Sequence, residues 1–292
     1  MKKRKFKIFI KHPLITKVFK KLTYFILFCF VLYILLGIIL FFNTDRFVYH
    51  PTNEDFYSCE KLPEFTKEEF NGTRFFYRDA IDDSTVMVYY HGNQGSACDR
   101  FYLTNGFQRI GVRMIFVEYT GYAGDDIKPS KELLLNDVHN IKKFIESKKI
   151  NKTAVVGESL GSAMASYHSS IDNNVYSVIL VAGFDSVQSI AENRYLKYYP
   201  INYFKFDNYD NTKYLKDYNK RLVMIHGKLD NNIPIYHAKR LYNLTPAKEK
   251  LFIEHENAKH NDLYQYFNTY RAIRHGITGD SIDNFIYLNE TK

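Results

Sequence analysis

Cysteine is scarce in this chain of 292 residues: it occurs at 29, 59 and 98 alone. Three are too few for a disulfide-built scaffold, and no Cys-x-x-Cys pair offers a zinc site. No internal repeat is present, which excludes a repeat array, and no second periodic domain follows the first. Acidic residues are absent from positions 1–21, which hold nine cations (Lys2, Lys3, Arg4, Lys5, Lys7, Lys11, Lys17, Lys20 and Lys21). Beyond that stretch the chain has no basic excess, because removing nine of the 40 Lys and Arg leaves 31 against 32 Asp and Glu. The net charge of +8 would by itself hint at nucleic acid, but it is local, and nucleic acid is not expected as a partner. The chain does hold the makings of a large core: 46% hydrophobic against 25% charged residues excludes disordered, collagenous and low-complexity classes. The length allows one large domain or two small ones.

Charge of either sign is also absent from Leu22 to Phe42, LTYFILFCFVLYILLGIILFF. A helix of that length spans about 31 Å at 1.5 Å per residue, enough for a hydrocarbon core of about 30 Å. The competing readings are a buried core helix and a cleaved signal sequence. The second has a shorter apolar region followed by small residues at a cleavage site, whereas this run exits into Phe41-Phe42-Asn43-Thr44-Asp45-Arg46. A retained transmembrane helix is therefore expected over 22–42. The basic segment 1–21 would stay cytoplasmic by the positive-inside rule and the rest would lie across the membrane. The same cations suit anionic headgroups. Cys29 lies inside the apolar run. Cys59 and Cys98 would both be exported, which leaves them as a candidate disulfide. Asn-x-Ser/Thr sequons at Asn71, Asn151, Asn243 and Asn289 carry little weight in an Asn-rich chain.

From about residue 70 onward, short β-branched and aromatic runs alternate with helical periods. Strands are expected at Thr73–Tyr77, Thr85–Tyr90, Gly111–Tyr119, Thr153–Val156, Val175–Val181, Arg221–Ile225 and Lys250–Glu254. Between them, Ser130–Lys148 carries Leu134, Val138, Ile141 and Ile145 at helical spacing. This alternation predicts an α/β domain over 43–270 with a mostly parallel sheet and helices on both faces. A tail is expected at 271–292. Between the strand ending near Val181 and that starting at Arg221, an insertion at about 184–220 holds Tyr195, Tyr198, Tyr199, Tyr203, Tyr209, Tyr214, Tyr218, Phe204 and Phe206. It is a candidate short cap whose aromatics either line a pocket or merely pack.

In open α/β sheets ligands sit at the carboxyl ends of the strands, and three strand exits carry reactive side chains. After TAVV comes Gly157-Glu158-Ser159-Leu160-Gly161, a G-x-S-x-G sequence between a strand and a helix rich in small residues (Ser162, Ala163, Ala165). A sharp strand-to-helix turn brings backbone against backbone and needs glycine on both sides of the serine. A serine hydroxyl becomes a useful nucleophile when an imidazole accepts its proton, and the imidazole needs a carboxylate to fix its tautomer. The exit after RLVMI supplies Asp230 as the orienting acid, and the loop after LFIE supplies His260 as the base. Rival acids are Asp185 and Asp262. Rival bases are His255, close to its strand end, and His226, a packing or hydrogen-bonding residue. The exit after TVMVYY gives His91-Gly92-Asn93-Gln94-Gly95, whose Asn93 N–H, with that of Leu160, is expected to bind an oxyanion. His91 is expected to brace that loop.

Together these residues resemble the α/β-hydrolase superfamily, and within it the small membrane-anchored, bud-emergence-type branch of serine hydrolases. The resemblance runs from about Arg46 to Phe267. It is carried by Arg46-Phe47-Val48-Tyr49-His50-Pro51, the loop from His91 to Arg100, Tyr119-Thr120-Gly121-Tyr122, Pro129-Ser130, the serine turn, His226 to Pro234, and His260-Asn261-Asp262-Leu263. Three positions depart from it: Thr120 in place of arginine, Ala123 in place of glycine, and Ala258-Lys259 where glycines are usual. The resemblance implies an acyl hydrolase, some relatives of which act on lipid-modified proteins. The expected substrate is a small acyl ester, a lipid or an acylated protein, cleaved at an ester or thioester with no metal or organic cofactor. A peptidase of the same fold and a catalytically silent binding protein are the alternatives.

Overall fold

Strands form where β-branched and aromatic residues run together, and in the computed structural model they form at every expected place. The structure describes residues 13–80, 85–107, 110–194, 196–201, 204 and 207–281. The first twelve residues of the basic segment, residues 282–292 of the tail with Asn289, and Tyr195, Tyr203 and Phe206 lie outside the described residues. Among the described residues two compact units result, one holding the N-terminal helix to Thr44 together with Phe204, the other holding the rest from Asp45 onward.

In the first unit, helix α1 (Pro13–Phe42) starts before the apolar run, because Lys17, Lys20 and Lys21 are good helix formers and continue it. Its stretch Thr16–Phe42 is long and apolar enough to cross a membrane, and none of its apolar window is buried. A helix apolar on every side is stable when lipid or protein covers those sides.

In the second unit, β1 (His50–Pro51) is followed by β2 (Thr66–Phe70), β3 (Thr73–Arg78), β4 (Thr85–Tyr90) and β5 (Gln94–Gly95). Next come α2 (Thr104–Phe107), β6 (Arg113–Glu118), α3 (Lys131–Ser147), β7 (Lys152–Glu158), α4 (Gly161–Ile171) and β8 (Val175–Val181). Helices α5 (Val187–Asn193) and α6 (Asn211–Tyr214) occupy the insertion, and β9 (Arg221–Gly227), α7 (Ile235–Leu244), β10 (Glu249–His255) and α8 (Phe267–Thr278) complete the unit. Eight strands make one sheet in the order β10-β9-β8-β7-β4-β6-β3-β2. Every pairing from β10 to β6 is parallel, while β3 pairs antiparallel with β6 and with β2. The sequence pattern did not mark β2: TKEEF is polar and largely exposed, and it holds its place as an edge strand through β3.

Two apolar layers cover the sheet. On one face Val86, Val88 and Tyr90 meet Leu134, Val138 and Ile141 of α3 with Ala163 and Ala165 of α4. On the other, Met87 and Tyr89 meet Ala272, Ile273 and Ile277 of α8. Each buried Leu, Ile or Val side chain is worth about 1.5–3 kcal/mol of transfer free energy. Helix α8 runs across the boundary expected at residue 270. Because its apolar stripe is buried under the sheet, the domain extends to Thr278 and the tail starts only at Gly279.

The chain passes from β4 outward to β6 and then returns to β7 on the other side of β4. The switch point of the topology therefore lies between β4 and β7, where a crevice opens at the strand ends. The register sets Tyr90 against Gly157, so the loop after β4 and the turn after β7 leave the sheet side by side.

Candidate active site

Ser159 leaves β7 with φ +51°, a conformation that an L side chain adopts only under constraint. The constraint is visible: its N–H donates to the Val181 carbonyl at 2.9 Å, and its carbonyl accepts from Ser162 N–H as α4 begins. A Cβ added at Gly157 would stand 2.3 Å from the Gly161 carbonyl oxygen, and one at Gly161 only 2.0 Å from that of Tyr90. Both glycines are thus required by backbone contact.

The serine hydroxyl donates to His260 Nε2 at 3.0 Å. On the other side of the ring, Nδ1–H donates to Asp230 Oδ2 at 2.7 Å. A carboxylate only accepts, so this bond fixes the proton on Nδ1 and leaves the Nε2 lone pair facing the serine. The His260 side chain is 13% exposed and that of Asp230 wholly buried. Burial pushes the Asp230 carboxyl up, but His226 and His260 beside it and the Ile233 N–H hold it well below the usual carboxylate range. Its second oxygen accepts the N–H groups of Asn232 and Ile233, each at 2.8 Å. His226 donates from Nε2 to the Ile233 carbonyl at 2.8 Å and lies 3.3 Å from Asp230 Oδ2, so it steadies the acid.

The rivals are occupied elsewhere. Asp185 accepts from His237 Nδ1 at 2.8 Å and pairs with Arg240 at 3.1 Å, which joins the insertion to α7. Asp262 caps its own loop by accepting the Lys259 N–H. His255 bonds Thr269 Oγ1 at 3.0 Å and stacks on Tyr266, and burial lowers its pKa. The Ala258-Lys259 departure does not displace His260, because the close approach falls at Gly227 instead. A Cβ there would lie 2.3 Å from the Ala258 carbonyl oxygen.

The loop after β4 runs against the serine turn, since a Cβ added at Gly92 would come 3.5 Å from Ser159 Cβ. His91 braces it as expected: Nδ1–H donates to the Gly92 carbonyl at 2.7 Å, while Nε2 faces Glu118 Oε1 at 3.4 Å. The Tyr119 hydroxyl holds the His91 carbonyl, and that of Tyr122 holds the Asn93 carbonyl. Asn93 follows Gly92 in this loop, and Leu160 caps α4 directly after Ser159.

Arg100 and Glu158 carry the site's main surprise. One edge of the guanidinium grips the carboxylate in a bidentate pair, Nε to Oε2 at 3.0 Å and Nη2 to Oε1 at 3.2 Å, and Nη2 also reaches the Gln94 carbonyl at 3.1 Å. Tyr89 adds a short hydroxyl bond to Glu158. Burial raises the Glu158 pKa, but Arg100 more than offsets it and the carboxyl sits below its ordinary value. A carboxylate next to the serine is visible in the sequence, but nothing there points to a partner 58 residues away.

The departures at 120 and 123 are also accommodated. Thr120 donates its N–H and hydroxyl, each at 2.8 Å, to the buried Asp137, which also accepts Thr73. Ala123 takes the left-handed conformation, φ +47°, that glycine would adopt more cheaply. Cys59 and Cys98 are joined, with Cα atoms 6.1 Å apart. In the insertion, Tyr209 and Tyr218 are buried and Tyr214 packs on Tyr167, so these rings hold the segment to the domain, whereas Tyr198 lies on the surface.

No family model matches the chain. It is 26% identical over 258 residues to the uncharacterized protein YfhR of Escherichia coli O157:H7, covering 82% of this chain and 88% of that one. Among solved structures it is similar to the Pyrococcus furiosus esterase Pf2001 (TM-score 0.62, 16% identity, 78% of this chain and 97% of that one). It is also similar to the Pyrococcus horikoshii acylaminoacyl peptidase (TM-score 0.60, 14% identity, 76% of this chain and 44% of that one).

Proposed function

This chain has the α/β-hydrolase fold, and from that premise we propose that it is a membrane-anchored serine hydrolase cleaving an ester or thioester through an acyl-enzyme on Ser159. The observation that carries the reading is the unbroken hydrogen-bond chain from Ser159 Oγ through His260 to Asp230.

His260 Nε2 takes the serine proton as Oγ attacks the acyl carbon, and Asp230, kept ionised, stabilises the imidazolium that forms. The N–H groups of Leu160 and Asn93 bind the developing oxyanion, each donor typically being worth about 3–4 kcal/mol. The imidazolium protonates the departing alcohol or thiol. Water, deprotonated by His260, then releases the acid and restores Ser159. Peptidase action is the alternative within the fold, since the same groups can expel an amine that His260 protonates. A silent binding protein is disfavoured because no member of the Ser-His-Asp chain is missing.

In this reading α1 is the anchor, the nine N-terminal cations keep that end cytoplasmic, and the hydrolase faces the opposite, oxidising side. The Cys59–Cys98 bridge supports that placement. The short connection from Phe42 to His50 favours membrane-proximal acyl substrates. The test is fluorophosphonate labelling of the full chain in detergent, expected to occur on wild type and to vanish in Ser159→Ala. An acyl-length series of esters, thioesters and aminoacyl amides on the same preparation then assigns the bond. An intact chain that neither labels nor turns over any of them sinks the reading.

A further inference from the structure

The segment directly after α1 is no slack linker. Its β1 pairs in parallel with β5, His50 against Gln94 and Pro51 against Gly95. The His50 N–H donates to the Asn93 carbonyl at 3.0 Å, where the Tyr122 hydroxyl also donates at 2.9 Å. One residue earlier, the buried Tyr49 hydroxyl donates to Asp207 at 2.6 Å and lies 2.8 Å from the Tyr209 hydroxyl. Asp207 in turn accepts the Lys131 N–H that opens α3.

An amide N–H lies in the peptide plane that it shares with the preceding carbonyl, and the plane that follows its residue acts on it by holding the Cα between them. For Asn93 the preceding plane is fixed by His91 on the Gly92 carbonyl, which in a trans peptide turns the Asn93 N–H the opposite way. The following plane is fixed by His50 and Tyr122 on the Asn93 carbonyl. With both carbonyls held, the Asn93 Cα sits between two restrained planes, and a swing of either must break one of these bonds. We infer that the post-helix arm, through the His50 main-chain N–H and seconded by Tyr122, is a positioning element that aims the Asn93 N–H at the oxyanion, with Tyr49 pinning the arm in place. This rests on the hydrolase reading above.

The test uses the full chain in detergent with p-nitrophenyl butyrate and a fluorophosphonate probe. His50→Pro deletes the donor next to an existing proline, Tyr122→Phe deletes the hydroxyl without changing the ring, and Tyr57→Phe, whose hydroxyl bonds Glu69 away from the loop, is the control. Loss of aim weakens binding of the transition state and not of the ground-state ester. The expectation is a fall in kcat of about tenfold or more in each of the first two variants, with KM within about twofold, phosphonate labelling slowed in parallel, and the control unchanged. Should His50→Pro fail to melt cooperatively, Tyr122→Phe decides alone. Folded variants whose kcat and labelling rate stay within twofold of wild type overturn the inference and leave the hydrolase reading standing. A wild type that does not label at all removes the hydrolase reading, and the inference with it.

Discussion

Arg100 and Glu158 form a two-pronged ion pair that ties the loop after β4 to the residue immediately before Ser159. Both are largely buried, so removing the cation would leave a carboxylate with little but the Tyr89 hydroxyl. Breaking one side of a buried pair typically costs about 3–5 kcal/mol. Arg100→Leu should therefore lower the melting temperature by roughly 6–12 °C if the cost is about 3 kcal/mol, and slow Ser159 labelling as the loop loosens. A thermal melt within about 2 °C of wild type would mean that the pair contributes little.

Two buried aspartates test the proposed assignment of the acid. Asp230→Asn takes the fixed tautomer away from His260, and kcat should fall by about 10⁴. Asp185→Asn disturbs the His237 and Arg240 contacts instead. It should lower stability while leaving kcat within threefold of wild type at temperatures where the protein is folded. Steady-state kinetics and melting curves on the pair distinguish the assignments, and a reversal of the two effects would make Asp185 the acid.

Asp137 gives the chain a pH dependence of defined sign. Burial raises its carboxyl from 3.8 to about 6, against donors from Thr120 and Thr73 that pull it down. A folded-state pKa above the unfolded one means folding favours the protonated form. The contribution is full below about 3.8 and lost as pH rises through about 6. Between about pH 4 and pH 7 this amounts to about 2–3 kcal/mol. Urea unfolding at both values should show Asp137→Asn less sensitive to the change by that amount. Equal pH dependence in the two proteins would contradict the shift.

The bridge between Cys59 and Cys98 spans 39 residues of separation. By the chain-entropy estimate its removal costs up to about 4 kcal/mol. The Cys59→Ala, Cys98→Ala double variant should lose stability on that order, and thiol titration of the unfolded, unreduced wild type should find Cys29 alone. Two further reactive thiols would show the bridge to be absent.

Much of this arrangement is legible from residue pattern because it is local. The strands at Thr85–Tyr90 and Val175–Val181 are bounded by turn chemistry and form at the expected residues, and the serine turn is marked by two glycines within four positions. Ser159, Asp230 and His260 each follow a strand that residue pattern marks, β7, β9 and β10. Residue pattern could not reach pairing at a distance: Arg100 with Glu158, His50 with Asn93, and Tyr49 with Tyr209 join segments tens of residues apart, and no period in the chain encodes them. Strand β2 escaped for another reason. An exposed edge needs little apolar alternation, so TKEEF reads as loop until β3 lies beside it.

The disulfide also determines what a proteolytic nick can do. A cut at any peptide bond between residues 60 and 97, including the exposed turn at Asn71-Gly72, leaves the two fragments joined through Cys59 and Cys98. The C-terminal fragment therefore stays tethered to α1, and under the anchor proposed above its release by such a cut requires a reductant as well as a protease.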